Sequence, residues 1–411
     1  MRVCGIVAEY NPFHNGHLYQ LSKARAVTGA DHVVVVMSGN FVQRGEPAIF
    51  DKYIRTEAAL MAGADMVLEL PVYFATASAE AFASAAIGIL HATGIVDALC
   101  FGSETGDIEG LRSLACFLAD ESEPYRKALK QALGAGFSYP AARASAVAAA
   151  YAGVDGERFL KEPNDILGLE YLKALATIKS PIKPYAIRRK EAHYHDEKLS
   201  GDIASATAIR KGIWSEGIDS PGVIRAMPGF AYERIREAVQ SGIKPNKLDH
   251  YGEILQYILR MDSPACLREI LDIDEGLEYR LRALASQSAG ITELLTGLKT
   301  RRYTFTKLQR ALLHTILSIR VSDFTYFMKK GQAQYIRVLG FRKSKAFLLK
   351  TLQQQAALPI ILNLKYAARV LPEAALQMLL HEIRTTDIYA LGANCPYPLE
   401  WEYKQPMVIV P

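Results

Sequence analysis

The first hundred residues alternate between short apolar runs and longer stretches with helical spacing, and this pattern limits the possible folds most strongly. The apolar runs, which predict buried strands, are Val3–Glu9, His32–Ser38, Met66–Leu70 and Ala98–Phe101. The helical stretches between them are Asn15–Thr28, Asp51–Ala62 and Ala79–Thr93. Such alternation predicts a parallel sheet with helices on both faces. Ligands of these sheets bind beyond the carboxyl ends of the strands, so the residues that follow each strand are the first candidates for chemistry.

The pattern changes in the second half of the chain. Pro181–Ile187 predicts one more strand and Ser205–Trp214 one more helix, after which the strand signal fades and amphipathic helical patterns dominate. We therefore predict a Rossmann-like α/β domain over residues 1–215 and a mainly α-helical domain over residues 216–411. A chain of 411 residues is long enough for two domains with full cores.

Composition excludes several classes of protein. No apolar run approaches the roughly 20 residues needed to cross a bilayer, and the N-terminus lacks the pattern of a signal peptide. The five cysteines are widely spaced, with no CxxC and no Cys/His cluster of zinc spacing. We expect no protein-bound metal site, no membrane contact, no obligate protein partner, and a reducing, cytoplasmic location.

Basic residues are concentrated in one segment. Between Lys299 and Lys350 there are thirteen Lys or Arg and a single acidic residue, a net +12, so the rest of a chain whose formal total is +5 carries −7. Aromatic residues such as Tyr303, Phe305 and Tyr326 lie between these cations. Cations neutralise phosphates and aromatics can stack on unpaired bases, so the segment predicts contact with RNA. The candidate contacts are Arg301, Arg302, Lys307, Arg310, Lys329, Lys330, Arg337, Arg342 and Lys343.

The turn after the first strand carries the strongest chemical signal. The sequence NPFHNGH, residues 11–17, runs from a turn into a helix. Gly16 at the helix start lets backbone N–H groups approach a ligand, and the helix N-terminus favours a phosphate. His14 and His17 are three residues apart and share one face, so both imidazoles can donate hydrogen bonds to a phosphate group as its charge develops.

This motif resembles the (T/H)xGH signature of the nucleotidyltransferase superfamily. IASATAIR, residues 203–210, is similar to the second signature of the superfamily, ISSTxxR, with Ala206 in place of one hydroxyl residue. Ser205 and Thr207 are natural helix caps, and Arg210 can reach the β- and γ-phosphates. The helix start that contains Lys52 also resembles these enzymes, and Lys52 is a further candidate for contact with phosphate.

Longer segments resemble one family in particular, that of the tRNA(Met) cytidine acetate ligases. They are SGNFVQRGEPA at residues 38–48, LELP at 68–71, FGSE at 101–104, PNDILG at 163–168, the Arg188–Arg189 pair and TRRYTFT at 300–306. The resemblance implies an enzyme that uses ATP, with Mg²⁺, to convert acetate into acetyl-adenylate. The acetyl group is then transferred to N4 of the wobble cytidine (C34) of elongator tRNA(Met).

Site residues follow from the motifs and the resemblance together. His14, His17, Arg210 and Lys52 are the candidate catalytic residues. The candidate ATP-binding residues are Val7, Ala8, Glu9, Tyr10, Asn11, Pro12, Phe13, Asn15, Gly16, Gln20, Gly102, Asn164, Arg188, Arg189, Ser205 and Thr207. For Glu69 and Glu104, which follow or end strands, contact with Mg²⁺ or with the cytidine amine and a purely structural role remain open.

Two other functions are compatible with parts of the sequence. A small-molecule adenylyltransferase of the phosphopantetheine or nicotinamide mononucleotide type shares both nucleotide motifs, but predicts neither the basic segment nor the long loop at residues 39–48. A non-catalytic RNA-binding protein is disfavoured by the intact His14, Gly16, His17 and Arg210.

Overall fold

A computed structural model of the chain describes residues 1–153, 155–189, 203–288, 290–300 and 302–411. The strands are β1 (Val3–Ala8), β2 (His32–Ser38), β3 (Phe41–Val42), β4 (Glu46–Pro47), β5 (Met66–Leu70), β6 (Ala98–Ser103), β7 (Lys183–Arg188), β8 (Ile336–Arg342), β9 (Ile360–Ile361) and β10 (Val408–Val410). The helices of the first half are α1 (Asn15–Thr28), α2 (Lys52–Met61), α3 (Val72–Ala75), α4 (Ala79–Ala92), α5 (Ile108–Asp120), α6 (Glu123–Gly134), α7 (Tyr139–Ala150) and α8 (Pro163–Thr177).

The second half of the chain is mostly helical, as its sequence pattern predicts. Its helices are α9 (Ala206–Glu216), α10 (Pro221–Ala226), α11 (Gly229–Gln240), α12 (Gly252–Met261), α13 (Pro264–Arg268), α14 (Leu277–Ala285), α15 (Ile291–Leu298), α16 (Phe305–Leu317), α17 (Val321–Lys329), α18 (Phe347–Gln355), α19 (Leu364–Val370) and α20 (Glu373–Ala393). No helix in the described part of the chain is long and apolar enough to cross a membrane.

One mixed sheet organises the molecule, with strand order β10-β8-β5-β2-β1-β6-β7 and β9 paired with β8. Five neighbouring strands of this sheet, β5, β2, β1, β6 and β7, run parallel to one another. Each of them was predicted from an apolar run, so the predicted α/β fold with a parallel sheet is confirmed. The central strand β2 is buried along its whole length, as expected for a strand covered by helices on both faces.

Near one edge of the sheet lies a strand that the sequence analysis did not predict. The segment Ile336–Arg342, placed in a helical region by its sequence context, forms strand β8, antiparallel to β5. The strand is almost fully buried, so it lacks the polar–apolar alternation by which a half-buried strand is recognised. Gly340 lets β10 pack closely against β8, because a Cβ at this position would lie only 2.5 Å from the Val408 carbonyl oxygen. The second half therefore completes the sheet of the first half, and the domain boundary after residue 215 stays a prediction.

Local sequence fixes the elements that surround the carboxyl ends of β1, β6 and β7. Helix α1 begins after His14, whose side chain accepts a hydrogen bond from the Gly16 backbone N–H. Helix α9 begins after Ser205, which caps it by accepting from the Ala208 N–H. The buried side chain of Arg55 in α2 donates to the backbone carbonyls of Glu9, Ser38, Gly39 and Phe50 and so ties the ends of β1 and β2 together.

Candidate active site

A cavity of about 260 Å³ opens at the carboxyl ends of β1, β6 and β7. The first turns of α1, α8 and α9 border the same cavity, which therefore lies where ligands of parallel sheets bind. The predicted site residues that line it are Val7, Ala8, Glu9, Tyr10, Asn11, His14, Gly16, His17, Gln20, Gly102, Asn164, Arg188, Arg189, Ser205, Thr207 and Arg210. Segments from residue 7 to residue 210 are thus brought together at one site.

Three residues that the sequence placed in the nucleotide site do not line the cavity. Pro12 is buried beneath the turn. Phe13 is 1% exposed and packs edge-on against Tyr10, with ring centroids 4.9 Å apart. The Asn15 side chain donates to the Arg225 carbonyl oxygen at 2.8 Å, away from the cavity. The motif is continuous in sequence, but only some of its residues line the cavity, whereas Pro12, Phe13 and Asn15 support the turn.

The structure also places unpredicted residues in the cavity wall. They are Tyr19, Gln43, Arg44, Phe82, Phe101, Pro163, Leu167, Tyr171, Ile187, Ile203, Ala204 and Ala206. Leu167 and Tyr171 share a helix face with Asn164, at spacings of three and seven residues, so helical periodicity could have identified them. Gln43 and Arg44 belong to the loop between β3 and β4, which reaches the cavity only through its tertiary fold.

The His14 and His17 rings lie at the N-terminus of α1. They stack with centroids 3.7 Å apart. His14 Nδ1 accepts from the Gly16 N–H at 3.1 Å, and His17 Nδ1 accepts from the His14 N–H at 3.3 Å. An Nδ1 that accepts a hydrogen bond carries no proton, so in each neutral ring the proton is on Nε2. Each ring therefore has one N–H donor to offer to an anion.

Burial keeps both rings neutral. Burial, together with the positive charges of Arg189 and Arg210, lowers the pKa of His14 to about 3. The pKa of His17 is also well below its usual range, first because of burial and then because of His14 and Arg189. At neutral pH both side chains are hydrogen-bond donors without charge. They can stabilise charge that develops on a phosphate without themselves exchanging protons.

Arg210 is fixed by hydrogen bonds to the turn that precedes α1. Its guanidinium donates to the Asn11 carbonyl oxygen and to Glu46 Oε1, each at 2.8 Å, and the residue is only 7% exposed. The second motif is therefore connected to the first motif and to the β3–β4 segment. Arg210 contributes a positive charge at the cavity wall, and the ion pair with Glu46 orients it.

The cavity has a second group of polar residues at the end of β6. Glu104 accepts from the Asn164 side chain at 2.5 Å and from the Asp165 backbone N–H at 3.0 Å, which caps the start of α8. Arg189 Nη1 donates to Asn164 Oδ1 at 3.5 Å. Glu104 thus has a structural role, and Asn164 and Arg189 are presented to the cavity together. Gly102 lies at the cavity, beside the Arg189 side chain.

Lys52 lies elsewhere, and its predicted contact with phosphate is wrong. Its side chain is fully buried and donates to Glu69 at 2.5 Å, with a further ion pair to Glu402. Arg337, predicted to contact RNA, is 5% exposed and bonds the same two carboxylates at 2.8 and 2.6 Å. Glu69 therefore has a structural role too. Sequence reasoning failed here because two acids distant along the chain neutralise these cations.

The basic segment also differs from its expectation. Four of its arginines and lysines form ion pairs with the acidic stretch at residues 269–275, namely Arg302 with Glu275, Lys307 with Asp274, Arg310 with Asp272 and Arg320 with Glu269. Their charge is largely offset within the protein, so these residues are weaker candidates for contact with RNA than the sequence suggested. Arg301 lies outside the described residues.

The remaining predicted RNA contacts lie at two places. Lys329 and Lys330 are exposed at the end of α17 and form no ion pair among the described residues. Arg342 and Lys343 lie at the end of β8, where the Arg342 N–H bonds the Asp65 carbonyl oxygen before β5 begins. Because β8 is antiparallel to β5, this second group is at the amino ends of the parallel strands, opposite the cavity.

Chemically, the site is suited to binding a nucleoside triphosphate. Helix N-termini, two neutral histidines and four arginines surround the cavity, and these groups favour phosphate through backbone N–H donors and positive charge. No group of three or more His, Cys, Asp or Glu residues that could hold a metal ion exists in the described ranges. The arrangement fits chemistry driven by positioning and charge stabilisation.

The fold and the site define a nucleotidyl transferase of the HIGH class, and the family model described as HIGH Nucleotidyl Transferase matches residues 1–400. The relatives named tRNA(Met) cytidine acetate ligase include proteins from Acetivibrio thermocellus, 40% identical over 399 residues and covering 96% of each chain, and from Halothermothrix orenii, 40% identical over 403 residues and covering 95% of each. The chain belongs to this tRNA(Met) cytidine acetate ligase family.

Solved structures agree with this assignment. The chain is similar to Thermotoga maritima TmcAL bound with alpha-thio ATP, at 33% identity and a TM-score of 0.93, with both chains covered completely. The apo form of the same protein gives 34% identity and a TM-score of 0.94 over the same coverage. The family resemblance stated from the sequence motifs is therefore confirmed.

Proposed function

We propose that this chain is an ATP-dependent ligase that converts acetate into acetyl-adenylate and transfers the acetyl group to N4 of the wobble cytidine of elongator tRNA(Met). The product would be N4-acetylcytidine, with AMP and diphosphate released. The observation that carries the proposal is the pair of neutral Nε2–H donors of His14 and His17 at the N-terminus of α1, in a chain whose relatives bear the ligase name.

In the first step, an acetate oxygen attacks the α-phosphorus of ATP and the bond to the β-phosphate breaks, so that diphosphate leaves. His14, His17, Arg210 and the N-termini of α1 and α9 would hold the phosphates and stabilise the charge that builds on them. Gly102 of β6, Asn164 at the start of α8, and Arg188 and Arg189 at the end of β7 would hold the adenosine and α-phosphate. Val7 and Ala8 would form the floor beneath the nucleotide.

Mg²⁺ would enter together with ATP. This ion usually keeps several waters and uses one or two carboxylates together with substrate phosphates. Near the cavity, the Glu46 carboxylate is already paired with Arg210, and no larger cluster of ligands lies in the described ranges. The ion would therefore be held chiefly by the phosphates, and the residues above would orient the complex.

In the second step, the cytidine must unstack from its neighbours to reach acetyl-adenylate, which is a mixed anhydride. Unstacking costs the least free energy in a loop such as the anticodon loop. The anhydride reacts with water, so an enclosed site is required.

We also place the enzyme in the cytoplasm, where its RNA substrate is found. All five cysteines are free thiols, as that reducing compartment would keep them.

The tRNA surface we propose is the end of α17. Lys329 and Lys330 are exposed there beside the partly exposed Tyr326, over whose ring the Lys330 ammonium lies at 5.8 Å. Gln332, two residues further, bonds Ser84 of α4 at 2.7 Å, and Phe82 of the same helix lines the cavity. Helix α4 thus contacts both the cavity and the segment after α17, whereas Lys343 lies at the amino ends of the parallel strands.

The experiment that tests this function uses purified protein with ATP, Mg²⁺, radiolabelled acetate and bulk bacterial tRNA, followed by digestion to nucleosides. We expect label in N4-acetylcytidine that disappears when ATP is omitted. Diphosphate release with no label in tRNA would contradict the acetate–cytidine assignment. It would favour a small-molecule adenylyltransferase instead.

A further inference from the structure

Glu9 is the first residue after β1 and lines the cavity. Two hydrogen bonds, one to its backbone and one to its side chain, hold it in place. Its carbonyl oxygen accepts from Arg55 at 2.6 Å, and its Oε1 accepts from the Gln43 backbone N–H at 2.9 Å. The other carboxylate oxygen, Oε2, receives no hydrogen bond from the described residues, yet it is not sealed away from the cavity. Glu9 therefore offers one oriented acceptor to whatever binds there.

The sequence placed Glu9 among the ATP-binding residues, but a carboxylate is poorly suited to contact the phosphates, because it repels a triphosphate. The charged groups that face it are Arg44, Glu46 and Arg210. Tyr171 of α8 is also close, since the pKa of its phenol is raised first by burial and then by the charge of Glu9. Tyr171 packs edge-on against Phe101, with centroids 5.8 Å apart. An acceptor oxygen beside an aromatic wall suits a planar base that carries an amino group.

This inference rests on the proposed function, whose second step needs such an acceptor. The exocyclic amine of cytosine donates hydrogen bonds, and it is a weak nucleophile because its lone pair is delocalised into the ring. It must also lose a proton when it is acylated. We propose that Glu9 Oε2 accepts a hydrogen bond from N4 of the acceptor cytosine and takes the proton of that amine during acetyl transfer.

The step balances as follows. N4 attacks the carbonyl carbon of acetyl-adenylate, and a C–N bond forms. The C–O bond to AMP breaks and AMP leaves with the electron pair, while one N4 proton moves to Glu9 Oε2 and later to solvent. Burial raises the pKa of Glu9, which makes its carboxylate a stronger base than an ordinary glutamate. Glu9 thus acts on the acyl acceptor, whereas His14 and His17 act on the phosphates.

The test separates the two half-reactions in the Glu9→Gln variant. The glutamine amide oxygen can still accept from the Gln43 N–H, so the loop geometry is kept, but no side-chain base remains. Acetate-dependent exchange of labelled diphosphate into ATP reports acetyl-adenylate formation and should stay close to wild type. Single-turnover acetyl transfer to tRNA should fall by about 10²–10⁴-fold, the usual contribution of a positioned base.

The exchange reaction also serves as the folding control in the same sample. Glu109→Gln, a matched change at an exposed position of α5, should leave both rates unchanged. Transfer at the wild-type rate in Glu9→Gln would overturn the proposal. Loss of exchange and transfer together would overturn it too, because Glu9 would then serve adenylation or the loop structure. If wild type itself shows no acetate-dependent exchange, the proposed function fails before Glu9 is tested.

Discussion

His14 and His17 stack with ring centroids 3.7 Å apart, and each presents its Nδ1 to a backbone N–H at the start of α1. The helix N-terminus thus sets the tautomer of both rings. The same hydrogen bonds that cap the helix leave two Nε2–H groups as donors toward the cavity. The hydrogen bonds that cap α1 therefore also orient the two donors of the candidate phosphate site.

We expect His17→Ala to slow acetyl-adenylate formation by about 10²–10³-fold, the usual effect of removing one oriented donor to developing charge. Acetate-dependent exchange of diphosphate into ATP measures this step. His91→Ala, at an exposed position of α4, serves as the control and should behave like wild type. Exchange at an unchanged rate in His17→Ala would remove this histidine from the mechanism.

The lowered pKa of His14 predicts how stability depends on pH. In the unfolded chain this residue binds a proton below about pH 6.5, whereas the folded state excludes that proton down to about pH 3. Between these values the unfolded state binds more protons, so this residue makes the free energy of unfolding fall as pH falls, by up to about 1.4 kcal/mol per pH unit.

The variant His14→Asn can still cap α1 but does not titrate. We therefore expect wild type to lose stability relative to this variant as the pH is lowered from about 7 to about 4.5, by about 2–3 kcal/mol. Denaturant unfolding at the two pH values measures the difference. A constant gap between the two proteins would show that His14 takes up its proton at the same pH in the folded and unfolded states, which would contradict the lowered pKa.

The buried cluster of Lys52, Glu69, Glu402 and Arg337 predicts a stability effect. Lys52→Met leaves two carboxylates with only Arg337 as a counter-charge, and we expect a loss of about 3–5 kcal/mol in the free energy of unfolding. Arg126→Ala, which breaks an exposed pair with Glu123, should cost less than about 1 kcal/mol. Chemical denaturation of both variants tests this, and similar costs would contradict a buried network.

Glu382 borders this cluster, with its Oε1 3.9 Å from Lys52 Nζ, and its pKa differs from that of Glu402. Burial and the charge of Glu69 raise its pKa to about 8, whereas Arg337 and Lys52 offset the burial of Glu402 and hold the pKa of that carboxyl at about 2. At neutral pH Glu382 therefore keeps its proton while Glu402 is ionised. A neutral Glu382→Gln change should accordingly cost less than Glu402→Gln in the same unfolding measurement.

The proposed tRNA surface predicts a difference between two pairs of lysines. Reversing Lys329 and Lys330 to Glu should weaken tRNA binding and reduce the slope of log affinity against log salt by about 1–2, since each lost phosphate contact removes about 0.7–0.9. Reversing Lys343 and Lys345, at the amino ends of the strands, should have less effect. Filter binding over a salt series distinguishes the two, and equal losses would contradict the location at α17.

Local pattern was sufficient for the first half of the fold. The apolar runs of β1, β2 and β5 and the cap at Ser205 act within a few residues of sequence, and the sequence predicts each of them. The motif NPFHNGH placed His14, Gly16 and His17 at the cavity because a strand, a turn and a helix N-terminus leave little geometric freedom. This motif carries the resemblance to the superfamily, whereas other segments, such as residues 38–48 and 163–168, carry the resemblance to the family.

The tertiary structure decided what depends on distant partners. The sequence by itself determined the parallel sheet and the two nucleotide motifs, because hydrophobic periodicity and capping are local. It could not show that Lys52 and Arg337 meet Glu402 in a buried cluster, or that residues 269–275 neutralise part of the basic segment. Charge and burial are set by neighbours in space, and those neighbours lie tens to hundreds of residues away in the chain.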